Sequence, residues 1–211
     1  MTSSMIAIID YGVGNLFSLS RSLEYLGIES TITNDLEQLK AADQIILPGV
    51  GAFGDAIQKL REHQLEEPIK QLVKKGKPLM GICLGMQLLF EKSTEFGEHQ
   101  GLGLLSGEIV SLKEALQAKN LTLKVPHIGW NELLVKKESV LLKNFNVGEQ
   151  VYYVHSFYAT NCDDSLIATS EYGIEVPGLV QKDNVYGAQF HPEKSGAVGL
   201  QMLKAFSEVK G

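Results

Sequence analysis

Cysteine is scarce in this chain, and the scarcity excludes a class of protein. Cys83 and Cys162 are the only two in 211 residues, too few for the disulfide framework of a small secreted domain. Clustered positive charge is also missing. Lys and Arg number 19 against 25 Asp and Glu, a net charge of −6, with no basic run. A nucleic-acid or anionic-membrane surface needs such clusters, so neither partner is expected. No apolar run approaches the roughly 20 residues of a membrane span. The opening Met1-Thr2-Ser3-Ser4 lacks a basic n-region and a cleavage site. No signal peptide is therefore expected, and the expected location is cytoplasmic, where a lone thiol stays reduced. No Gly-Lys-Ser/Thr follows a glycine-rich turn, which excludes a P-loop. None of the five histidines makes a metal-ligand spacing with the cysteines, so no metal or other cofactor is expected.

What is present is an ordinary globular composition, 44% apolar and 21% charged, with 21 glycines. The length suits one domain over residues 1–211, with no repeat or linker to divide it. Short apolar strands at Met5–Ile9, Ile28–Thr33, Gln44–Leu47 and up to Cys83 alternate with helical spacing such as Leu16, Leu19, Leu23 and Leu26. Another helical stretch runs from Ala56 to Lys75, interrupted near Pro68. This alternation predicts an α/β fold, a mostly parallel central sheet with helices on both faces. After Gly97 the texture changes. Leu102–Leu112, Leu121–Ile128, Val140–Leu142, Gln150–Tyr158, Leu166–Glu171, Gly178–Lys182 and Val185–Phe190 read as strands joined by short polar turns. They predict a smaller antiparallel sheet region beside the first, with a last helix over 196–209.

Three stretches can carry chemistry. The first is Lys77-Pro78-Leu79-Met80-Gly81-Ile82-Cys83-Leu84-Gly85-Met86-Gln87. A strand ends at Cys83 and a helix begins at once, with glycines two residues to either side. A thiol on such a turn is pushed out of the sheet edge and acidified by the helix behind it. The plain alternative is a buried core cysteine. The second stretch is Gln189-Phe190-His191-Pro192-Glu193-Lys194-Ser195. In extended backbone, residues two apart share a face, so His191 and Glu193 form either a base with its orienting carboxylate or a surface turn. Both features stand at carboxyl ends of strands, the functional edge of a parallel sheet. The third is Pro48-Gly49-Val50-Gly51-Ala52-Phe53-Gly54. Its glycines fit a dinucleotide fingerprint, a loop donating N–H groups to an oxyanion, or plain turn geometry. His63 reads as solvated, His99 as a loop residue, and His127 and His155 as satisfied strand residues. Cys162, beside Asp163 and Asp164, reads as a loop thiol that the carboxylates make less acidic.

These residues carry a resemblance. Gly81–Gln87 with His191-Pro192-Glu193 resembles the class I (triad) glutamine amidotransferases, whose fold is flavodoxin-like. Asp10-Tyr11-Gly12-Val13-Gly14-Asn15-Leu16, Pro48–Phe53 and Pro126-His127-Ile128-Gly129-Trp130-Asn131 narrow it to the glutaminase subunits of imidazole glycerol phosphate synthase. It covers Ile6 to about Phe206. The resemblance implies that Cys83, His191 and Glu193 are catalytic and that Val50 and Leu84 form the oxyanion hole. It implies glutamine contacts at Gly51, Gln87, Glu95, Ser156 and Phe157. It also implies a (β/α)8-barrel cyclase partner in a heterodimer, docked on Asn15, Trp130, Tyr152 and Lys194 and receiving ammonia for histidine biosynthesis. The alternatives are a paralogous synthase, a dinucleotide-binding module on Gly49, Gly51 and Gly54, and a catalytically silent scaffold.

Overall fold

Period-two apolarity builds the sheet. In Met5–Ile9 the side chains of Ala7 and Ile9 enter one core, and those of Ile6 and Ile8 enter the other. Gln44–Leu47 divides the same way, Ile45 and Leu47 against Ile46. Strands buried on both faces need helices on both faces. Leu36–Ala41, Phe53–Glu62 and Glu66–Lys74 cover the first core, while Leu16–Tyr25 and Gly196–Ser207 cover the second. A computed structural model describes residues 4–211. Met1-Thr2-Ser3, part of the stretch behind the signal-peptide expectation, lie outside the described residues.

The main sheet has eight strands. In spatial order they are Glu29–Thr33, Met5–Ile9, Gln44–Leu47, Leu79–Ile82, Val185–Ala188, Glu175–Lys182, Leu166–Glu171 and Leu134–Val135. The first five are mutually parallel and the rest join antiparallel. The antiparallel portion thus partly extends the first sheet instead of only lying beside it. Two small sheets complete the fold. Gln150–His155 pairs antiparallel with His127–Glu132. Phe157–Thr160, Glu108–Ser111, Lys92–Ser93 and His99–Gln100 form a mixed sheet with one parallel pairing.

Several expected elements differ for identifiable reasons. Val140–Leu142 is a 3-10 turn, because the Ser139 hydroxyl accepts the Leu141 N–H and caps it. The expected strand Leu102–Leu112 starts only at Glu108, since the amides of Leu102 to Leu105 tie back to the carbonyls of Leu88 to Phe90. Leu112–Ala118 is a helix capped by Ser111. The strand over Leu121–Ile128 begins at His127, after Pro126, which has no N–H for a ladder. Gln150–Tyr158 breaks at Ser156 into strands of two different sheets. The helical stretch to Lys75 is broken before Pro68, at Gln64 with φ of 56°. Pro68 itself sits in the first turn of the next helix, where its missing N–H is tolerated.

Candidate active site

The strand Leu79–Ile82 ends and the chain turns at Cys83, whose φ of 56° and ψ of −115° lie outside the relaxed regions for an L-residue. Such strain persists where the surroundings over-determine it. Here they do. A Cβ on Gly81 would stand 2.6 Å from the Gly85 oxygen, and one on Gly85 only 1.8 Å from the Leu47 oxygen. Only glycine allows the helix Leu84–Leu88 to start this close to the neighbouring strand. The ladder reaches the turn itself, for the Cys83 N–H donates to the Ala188 carbonyl at 2.8 Å.

Ala188 ends the next strand, and His191 follows three residues on. Its Nδ1 lies 2.7 Å from Glu193 Oε1, with both side chains 4% exposed. With Nδ1–H given to the carboxylate, Nε2 is left for the cavity that His191 shares with the Cys83 thiol. Burial alone would strip the imidazolium of its proton. The bonds and charges of Cys83 and Glu193 outweigh it and lift the ring to about 9. The ring therefore holds its proton at neutral pH. The second carboxylate oxygen of Glu193 is buried without a partner.

A cavity of about 330 Å³ opens over the thiol, within the range of small-molecule sites. Cys83, His191, Val50, Gly51, Leu84 and Gln87 line it, with Glu95, Ser156 and Phe157. The structure therefore brings Cys83 and His191 to one cavity with every oxyanion and glutamine candidate, while Glu193 stands behind the His191 ring and does not line it. Pro126, Val154 and His155 also line it, and none of them was expected there. Leu84 opens a helix, so its N–H has no intrahelical acceptor. Gln87 Nε2 donates to the Phe157 carbonyl at 3.1 Å. Burial raises the Glu95 carboxyl above its usual range, with the Phe53 N–H opposing it as a donor at 3.2 Å. That bond also sets an anion at the start of the helix Phe53–Glu62, where a dinucleotide pyrophosphate would have to sit.

The loop Pro48–Gly51 is held from below. Tyr11, wholly buried, donates its hydroxyl to the Pro48 carbonyl at 2.6 Å. Burial, with the Cys83 charge, pushes that phenol far above its ordinary value. A Cβ on Gly49 would lie 2.9 Å from both the Tyr11 hydroxyl and the Gly85 nitrogen. Gly51, with φ of +99°, takes the left-handed conformation a side chain would resist. Nothing local in the sequence marks Tyr11, since its partner lies 37 positions away.

The four candidates for a partner surface gather around the turn Pro192–Lys194. Trp130 and Tyr152 face each other across paired strands, their rings edge-on at 5.9 Å. Tyr152 accepts the His191 N–H and donates its own to Ser195 Oγ. Lys194 is exposed on the turn, and Asn15 caps the helix Leu16–Tyr25 packed against it. Trp130 and Ile128 expose about half their surface, 51% and 52%, on one face of the same strand. Ile128 was not a candidate, although period two from Trp130 points to it.

The remaining candidates fall elsewhere. His155 Nδ1 meets the Phe157 carbonyl at 2.8 Å and its Nε2 meets His127 Nδ1 at 2.9 Å; His127 Nε2 continues to Asn131 at 2.8 Å. They are satisfied buried histidines, and burial drives His155 down to about 3. Cys162 lies in a loop as expected and is buried there; burial, more than Asp163, pushes it up to about 11. His63 bonds the local Lys59 carbonyl, while His99, expected in a loop, opens the strand His99–Gln100 because its backbone pairs with Ser93. No helix among the described residues is long and apolar enough to cross a membrane.

The model of the class-I glutamine amidotransferase family matches residues 7–208. The chain belongs to that family. Within it, the chain is 50% identical over 206 residues to "imidazole glycerol phosphate synthase subunit HisH" of Caldanaerobacter subterraneus subsp. tengcongensis, covering 97% of this chain and 98% of that one. The protein of the same name from Listeria monocytogenes serovar 1/2a is 48% identical, covering 97% and 96%. Among solved structures, PurLQS from Thermotoga maritima superposes with a TM-score of 0.74 at 21% identity, covering 97% and 98%. A structure described as a glutamine amidotransferase gives 0.73 at 20%, covering 97% and 99%. The amidotransferase fold is thus shared well beyond the HisH relatives.

Proposed function

We propose that this amidotransferase is the glutaminase subunit of an imidazole glycerol phosphate synthase, hydrolysing glutamine to glutamate and ammonia for histidine biosynthesis. The observation that carries the reading is a strained Cys83 that shares one cavity with His191, whose ring Glu193 holds at 2.7 Å. Cys83 Sγ attacks the carboxamide carbon of glutamine, and the C–N bond then breaks as His191 protonates the leaving ammonia. Water, deprotonated by His191, cleaves the resulting thioester and releases glutamate. Glu193 orients the ring and balances its charge. The N–H groups of Val50 and Leu84 receive the oxyanion, an interaction whose loss typically costs roughly 10²–10³ in rate. Glu95 pairs with the substrate ammonium; Gly51, Gln87, Ser156 and Phe157 shape the remaining contacts. Residues 1–211 act as one domain, and the enzyme works in the cytoplasm, where both thiols stay reduced.

The acceptor of the ammonia is a (β/α)8-barrel cyclase, docked as a heterodimer on Asn15, Trp130, Tyr152 and Lys194. Ammonia in neutral water is mostly protonated and no longer nucleophilic, so a sealed interface has chemical purpose. The half-exposed Trp130 and Ile128 support that surface. A chloroketone analogue of glutamine tests the site: it should label Cys83 stoichiometrically and abolish glutaminase activity. Labelling of Cys162 with activity intact would sink the reading. Co-purification with the barrel protein, and ammonia transfer to that partner's substrate, separates the histidine-pathway enzyme from a paralogue.

A further inference from the structure

Two residues before His191 lies Gln189, which the proposed reaction leaves without a role. Its side chain is wholly buried, and both ends of the carboxamide are engaged. Oε1 accepts from Gln87 Nε2 at 3.1 Å, and Nε2 donates toward Cys83 Sγ at 3.9 Å. The direction of these bonds is fixed from outside. Gln87 Nε2 also donates to the Phe157 backbone carbonyl at 3.1 Å, and a carbonyl can only accept. Gln87 must therefore turn its NH₂ that way. Its second N–H then meets the oxygen of Gln189, and the NH₂ of Gln189 must face the sulfur. One carbonyl of fixed polarity orients two carboxamides in series, ending at the nucleophile.

The sulfur needs such a donor only once it is charged. As a thiol, Cys83 gives its S–H to the Val154 carbonyl at 3.7 Å. After ionisation that carbonyl has nothing to offer, and the side-chain donor that remains hydrogen-bonded to the sulfur is Gln189 Nε2, with the His191 ring in the same cavity. We infer that Gln189 is a further catalytic group. Its N–H stabilises the Cys83 thiolate, while its oxygen fixes the Gln87 carboxamide so that Gln87 Oε1 remains the free acceptor of a residue lining the cavity. The second half rests on the glutaminase reading; the first does not. A glutamine buried only for packing would leave the ionisation of Cys83 untouched when replaced.

Alkylation of Cys83 by iodoacetamide, followed by mass across pH with and without glutamine, separates these cases. The titratable groups around the sulfur, Tyr11 with His191, His155 and Glu95 of the same cavity, stay unaltered. In Gln189→Met the alkylation midpoint should rise by about one pH unit, the size of one lost hydrogen bond to a charged group. The glutamine concentration giving half-protection should rise roughly tenfold for the same reason. Gln189→Glu keeps an oxygen toward Gln87, so its midpoint should also rise while protection changes less. Unchanged midpoints in both folded variants would overturn the inference. Should neither variant fold, the side-chain amide signals of Gln189 in the wild type provide the test by NMR. They should titrate with the alkylation midpoint and cease to do so in Cys83→Ala; wild-type signals that ignore pH would overturn it equally. A wild-type Cys83 that glutamine fails to protect would instead sink the glutaminase reading.

Discussion

His191 Nδ1 and Glu193 Oε1 meet at 2.7 Å in a setting where each side chain is only 4% exposed. The carboxylate thus orients that ring from a buried position, and its other oxygen has no partner to hold it elsewhere. Glu193→Gln keeps the shape but removes the charge that favours the imidazolium and its tautomer. Glutaminase kcat should fall roughly 10²–10⁴-fold, the usual weight of positioned acid–base catalysis. Steady-state kinetics measure it; a fall below tenfold would remove the orienting role.

The two buried histidines load the stability curve from opposite sides. His191 is raised from 6.5 to about 9, so its contribution is fully present below pH 6.5 and is lost as pH climbs through 9. His155 is lowered from 6.5 to about 3, so its contribution is present above pH 6.5 and is lost as pH falls toward 3. Urea unfolding across pH should show both slopes. His191→Gln should flatten the alkaline one and His155→Gln the acid one. Activity should also drop above about pH 9, where the ring no longer carries the proton needed by the leaving ammonia. A wild-type stability constant from 6.5 to 9 contradicts the assignment.

Tyr11→Phe removes one hydroxyl from beneath the oxyanion loop. The Pro48 carbonyl loses a buried donor, so unfolding free energy should fall by about 1–3 kcal/mol. A loosened loop should lower kcat more than it raises KM for glutamine. Denaturant titration and kinetics report the two effects separately, and a variant with wild-type values in both would show that Tyr11 merely fills space.

Gly85 and Gly51 differ in what an added methyl would meet. At Gly85 it would stand 1.8 Å from the Leu47 oxygen, so Gly85→Ala should displace the turn and yield little folded protein. At Gly51 nothing lies within 4 Å, but φ is +99°. Gly51→Ala should fold, lose about 1–2 kcal/mol to backbone strain, and bind glutamine poorly. Circular dichroism and glutamine protection of Cys83 distinguish the two; equal behaviour would contradict the packing.

Lys194→Ala should weaken assembly with the cyclase or its coupling, while glutamine still protects Cys83 in the free subunit. Trp130→Ala should cost about 2 kcal/mol in partner affinity if it anchors the interface. Calorimetry with the barrel protein measures both. Unchanged affinity and coupling would place these side chains off the interface.

The fold class and the residues around the thiol were legible because each rests on short-range pattern. Alternation of apolar positions gives a strand, and Gly81 with Gly85 marks a turn at Cys83. The spacing of His191 and Glu193 marked the pair, although a 3-10 turn over Pro192–Lys194, and not the expected extended backbone, brings Glu193 back to the ring. Gln189 lies two residues before His191 and was within reach. Tyr11 was not, since no local rule says which carbonyl a phenol 37 positions away will find. The antiparallel half was harder for a related reason. Val140–Leu142 is too short for its apolar run to separate strand from turn. Leu112 and Leu116, four apart on one helix face, followed directly on strand-like Glu108–Ser111 and hid the change of element.

The strands ending at Cys83 and leading to His191 are hydrogen-bonded neighbours in parallel, Leu79 to Ile82 against Val185 to Ala188 without offset. Their spacing of about 4.8 Å is a property of any β-sheet. The gap between sulfur and imidazole is therefore ruled by that frame together with the three residues that carry the chain from Ala188 to His191. Inactivation of the free subunit and melting of its sheet should accordingly be a single event.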